Sequence, residues 1–111
     1  MTVKAIVDTG AWTIVINEET LNKLGLDDAG YGEATLADGK KGEYPMAGPL
    51  EIWWENRNFN CNALVLPDAP DTLLGAYPLE GMDLTINPQA EAEGFSRGLI
   101  GVHGDIVMHR V

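Results

Sequence analysis

Apolar residues in this chain come in short runs, five or six at most, separated by Gly, Pro, Asn and Asp. Thr2 to Val7 is rich in Val and Ile and stops at Asp8-Thr9-Gly10, which predicts a strand rather than a helix. Trp12 to Ile16, dominated by branched and aromatic residues, predicts a second. "NEETLNKLGL" differs: Asn17 can cap, Glu18 and Glu19 suit a helix amino terminus, Leu21 and Leu24 lie three apart, and Gly25 is a stop, so one short helix is expected. From Glu33 the pattern is sheet again, with Asp38-Gly39 as a hairpin turn whose central positions tolerate positive φ. Leu50, Ile52 and Trp54 alternate with Glu51, Trp53 and Glu55. Beyond a turn at Asn56 to Asn58, Phe59, Cys61, Ala63 and Val65 alternate with Asn60 and Asn62, predicting a second hairpin. "PDAPD" at 67–71 breaks the sheet. Strands are expected to end at Gly75, over Leu84 to Ile86, and over 98–102, with a loop at 89–97 and an unassigned tail at 105–111. Many short strands with one or two short helices describe an all-β, mainly antiparallel barrel or sandwich.

The chain's 111 residues, 45% of them hydrophobic, suffice for a single domain spanning 1–111 with one modest core. Seventeen acids against seven Lys and Arg give a net charge of -10, which argues against a phosphate-binding surface, so no nucleic-acid partner is expected. Cys61 is the sole cysteine, which excludes an intrachain disulfide and a thiolate metal cluster. The start lacks a secretory pattern, and no stretch approaches the roughly 18 apolar residues of a membrane span. A soluble, cytoplasmic protein with no membrane partner is the expectation.

Asp8 has two readings. Asp, Thr and Gly form turns, so the tripeptide can be a turn and nothing more. Alternatively, the strand delivers a carboxylate that activates a nucleophile, with Gly10 letting backbone approach a substrate and Thr9 anchoring the turn through its hydroxyl. Order along the chain favours the second: apolar strand, Asp8-Thr9-Gly10-Ala11, apolar strand, short helix, Asp38-Gly39 hairpin, then Leu73-Leu74-Gly75. In this order the chain, roughly from Val3 to Gly104, resembles the retropepsin-like aspartic proteases, the compact bacterial members most of all.

The resemblance implies a single-lobe acid-protease β-barrel and a peptide-bond hydrolase that works without metal or cofactor. That chemistry needs two carboxyl groups sharing one proton: the ionised member takes a proton from water, and the neutral one donates to the scissile carbonyl. A second Asp-Thr-Gly is absent here, since Asp71-Thr72 is followed by Leu73. The second acid is therefore expected from another copy, in a homodimer whose two-fold axis passes between two Asp8 side chains. By the same resemblance Asp8, Thr9 and Gly10 are the catalytic loop, with Thr9 bracing the two loops across the axis. Ala11 and Leu74 would border the substrate, Leu73, Leu74 and Gly75 would pack under the loop, and the Asp38-Gly39 hairpin would close over a polypeptide bound as an added strand.

The match departs from the retroviral pattern in two places. Retroviral members carry two acids after the tetrapeptide and Arg-Asn after the later glycine; Trp12-Thr13 and Ala76-Tyr77 stand there instead. Acid and arginine are lost together, which strands no lone charge. Family chains also carry a further strand or hairpin ahead of the catalytic strand. Only seven residues precede Asp8, so either the natural chain starts upstream or the dimer is assembled differently.

Other chemistry is less well supported. His103 and His109, near Asp105, lack a catalytic-metal spacing. Trp53-Trp54 reads as one ring in the core and one at the surface, and Cys61 as a buried structural thiol. A phosphoryl-transfer Asp would want a second acid two residues on and a partner Lys motif, and has neither. The alternative function is a catalytically silent β-barrel module that binds peptides or partners through the same groove or its sheet edge.

Overall fold

The computed structural model describes residues 1–8, 10–35, 39, 41–86, 99–100 and 103–111. Thr2–Val7 forms β1, Val15–Ile16 β2, Glu18–Leu24 α1, Asp27–Thr35 β3, Lys41–Trp54 β4, Arg57–Val65 β5, Thr72–Leu74 β6, Ala76–Gly81 α2, Thr85–Ile86 β7, Leu99–Ile100 β8 and His103–Arg110 β9. The sheet runs β3-β4-β5-β2-β6-β1-β9, and β9 pairs back onto β4. Six strands thereby close into a barrel, and β3 is left outside the ring as a flank on β4. Closure removes the free edges of the six ring strands, and β3 keeps one open edge.

Local signals explain much of this. The Asn17 side chain accepts from the Thr20 amide at 2.9 Å, and Gly25 ends α1 in the left-handed region at φ +62°, as cap chemistry requires. Gly39 has φ +84° in the connection from β3 to β4, which pair antiparallel from Thr35↔Lys41 outward. Asp38 lies outside the described residues, as do Thr9 and the loop at 89–97. The inward faces of the barrel strands meet in Ile16, Leu50, Ile52, Leu74, Ile106 and Met108, joined by Ile14 just ahead of β2, all fully buried. Each such side chain contributes about 1.5–3 kcal/mol by leaving water.

Three expectations change. The hairpin turn after Trp54 is Glu55-Asn56, with Glu55 at φ +52° and Arg57 already paired to Trp54. The second strand shortens to Val15–Ile16, because the carbonyls of Ala11 and Trp12 receive the first amides of α2 instead of a ladder. Finally, the unassigned tail is a structural strand: β9 lies antiparallel to β1, pairing Val3↔Ile106, and to β4, pairing Ile52↔Met108. Trp54 is buried and Trp53 half-buried, with the Trp53 indole donating to Glu51 at 2.7 Å.

Candidate active site

β1 pairs in parallel with β6 as far as Val7↔Leu74, and the next amide, that of Asp8, donates to the Leu74 carbonyl at 3.0 Å. The acid is thus the first residue past a strand that is held on both sides, by β6 and by β9. The chain then turns sharply. The Ala11 amide donates to the Asp8 carbonyl at 3.1 Å, and the Gly10 amide donates to Asp8 Oδ1 at 2.9 Å, fixing the carboxylate's orientation. A Cβ on Gly10 would sit 3.1 Å from that same oxygen, so the glycine lets the loop fold back on its own acid.

The loop is also held from beneath. Ala76 and Tyr77 amides donate to the carbonyls of Ala11 and Trp12 at 2.9 and 2.7 Å. Two orphan donors at the start of α2 are satisfied in this way, and the active loop is stitched to the helix. Gly75 makes the approach possible: a Cβ there would lie 2.3 Å from the Thr13 carbonyl oxygen and 2.6 Å from that of Ala11. Thr13 in turn donates through its hydroxyl to the Asn62 carbonyl at 2.8 Å, tying the far end of the loop to β5.

Above the loop lies a cleft of about 1350 Å³ bordered by Asp8, Gly10 and Ala11, by the 32–35 segment of β3, by β5, and by residues 66–73. Asp8 is half-buried at its wall. The expected site residues Asp8, Gly10 and Ala11 come together here. Leu74 does not reach the cleft. Its side chain is fully buried and it holds the loop through its carbonyl, while the preceding Leu73 faces the cleft. Gly39 is exposed in the hairpin connection and is not among the residues that border the cleft.

Trp12 and Tyr77, where the sequence departs from the retroviral pattern, touch. Their rings stack at 5.3 Å with an interplanar angle of 17°, and Phe59 meets Tyr77 edge-on at 4.9 Å. The two departures from that pattern thus meet in an aromatic contact. Composition hinted at the rings but not at their proximity, because 64 residues of chain lie between them. Cys61 is half-buried on the cleft wall rather than fully buried. Burial pushes its thiol up to about 11, against a smaller opposing effect of a hydrogen bond with Thr13, so at neutral pH it is a protonated, poor nucleophile.

The family model described as gag-polyprotein putative aspartyl protease matches residues 1–81. That span contains the Asp8 loop, β6, Gly75 and α2. No curated protein and no solved structure matches the chain. No helix among the described residues is long and apolar enough to cross a membrane.

Proposed function

The chain belongs to the gag-polyprotein aspartyl protease family, and from that premise we propose that it is an endopeptidase working as a homodimer, with one Asp8 carboxyl from each copy. The observation that carries this reading is the placement of Asp8: oriented by Gly10, anchored by Leu74 and set at the wall of a cleft of about 1350 Å³. One carboxyl cannot serve as base and acid at once. Two carboxyls about 3 Å apart cannot both ionise cheaply, so they share a proton and divide the roles.

In the proposed cycle the ionised Asp8 takes a proton from water as its oxygen bonds to the scissile carbonyl carbon. The neutral Asp8 gives its proton to the carbonyl oxygen. The tetrahedral diol then collapses: one diol hydroxyl gives its proton to the ionised Asp8 as the C=O re-forms, the C–N bond breaks, and the amine leaves with the proton of the other Asp8, so the pair returns to its singly protonated state. Asp8 delivers the charge, the Gly10 amide keeps it aimed, and the hairpin of β3 and β4 covers the bound strand.

Asp8→Asn tests this directly. With an unstructured protein as substrate at mildly acidic pH, cleavage is expected to fall at least a hundredfold, and undiminished cleavage discards the assignment. Sedimentation of the wild type is expected to show a dimer at micromolar concentration. A strictly monomeric species that still cleaves would remove the shared-proton mechanism.

A further inference from the structure

The described residues that border the cleft include three carboxylates, Asp8, Glu33 and Asp71, and no Lys, Arg or His. They also include Trp12, which is 64% exposed although its position is set from several directions. Its carbonyl receives the Tyr77 amide, its ring stacks on Tyr77, and Tyr77 rests on Phe59, which packs against the core. An indole with one face stacked and much of its surface open to an acidic cleft is a preformed receptor for a cation, because the ring's negative face attracts positive charge. An apolar side chain would gain from covering the ring as well, but only a cation also gains from the carboxylates Glu33 and Asp71 on the border of the same cleft, although Lys41, which shares a smaller recess with Glu33, offsets part of that charge at the β3 end. The net charge of -10 acts in the same direction at long range, attracting basic polypeptides and repelling acidic ones.

We propose that the cleft selects a polypeptide strand carrying an arginine or lysine, whose cationic head lies over Trp12 while Glu33 and Asp71 supply the complementary charge. This rests on the proteolytic reading above, in that the occupant of the cleft is a peptide strand. It adds which peptides are taken.

Binding and cleavage are measured separately so that the two claims can fail independently. A fluorescently labelled peptide is made in four forms, with Arg, citrulline, norleucine or Glu at one position, and the position is scanned along the peptide. Binding is read by anisotropy with the Asp8→Asn chain. At low ionic strength the Arg form is expected to bind about tenfold more tightly than its neutral isostere citrulline at one position, with the Glu form weakest, and the margin is expected to shrink with added salt. Trp12→Leu, at an exposed site, is expected to reduce the Arg-to-citrulline ratio about threefold. Glu33→Gln and Asp71→Asn are expected to reduce it about twofold each, while Glu18→Gln, which changes net charge equally on exposed α1 away from the cleft, leaves it unaltered. Equal binding of Arg and citrulline forms, absence of binding by all four, or an equal effect of Glu18→Gln overturns the proposal. Wild-type kcat/KM on the same series reads the other claim: if Asp8→Asn cleaves as well as wild type, the proteolytic reading falls whatever the binding data show.

Discussion

The floor of the cleft and the hairpin beside it are built on opposite terms. On the floor, the Asp8 loop is bonded to β6, α2 and β5 within a few residues, and a glycine is spent to bring two backbones into contact. The hairpin strand β3 has a single partner, β4, and is exposed along most of its length. On the proteolytic reading proposed above, the groups that hold the carboxylate are over-determined, while the cover that would admit and release a polypeptide hangs from one ladder. The same chain thus borders one space with a loop bonded to three elements on one side and a strand bonded to one on the other.

That contrast can be broken most severely from below. Leu74→Ala removes a fully buried side chain under the loop and is expected to cost about 4 kcal/mol, read as a lower urea midpoint with unchanged slope. Such a loss is a large part of a small domain's stability. Next, Gly75→Ala forces the loop off α2, at a cost of about 3 kcal/mol and with loss of cleavage even under conditions where the variant is folded, because Asp8 moves with its loop.

A smaller effect comes from Cys61 on the wall between the two regions. Its thiol ionises near 9.0 when unfolded and near 11 when folded, so between those values the folded chain holds more protons than the unfolded one. Stability therefore falls as pH rises across that window, and the wild type is expected to lose more than Cys61→Ala over it in paired thermal melts. Smallest of all, Tyr31→Ser on exposed β3 is expected to change stability by less than about 0.5 kcal/mol. A large destabilisation there would mean that the hairpin is held as firmly as the floor, and the contrast would be wrong.

Where forces act within a few residues, the sequence was legible. The boundaries of β1 and α1, the caps at Asn17 and Gly25, and the positive φ of Gly39 match the signals that announced them. Pro78 in a first turn, where its missing amide costs nothing, and the spacing of Leu79 and Met82 could also have disclosed α2. β9 was harder. Ile106 and Met108 do alternate with less buried neighbours, but the strands that cover them, Thr2–Val7 and Lys41–Trp54, lie far away in the chain, and no local pattern reports a distant partner.

On its own, then, the sequence determined that a strand would end on Asp8, that the chain would be mostly strand, and that its surface would be strongly acidic. These follow from composition, turn chemistry and neighbouring residues. Only the tertiary structure decided that Leu73 faces the cleft while Leu74 faces the core, that Trp12 lies on Tyr77, and that the last strand closes the barrel. Those outcomes depend on which distant surfaces fit together, and packing between remote segments is settled by the whole fold at once.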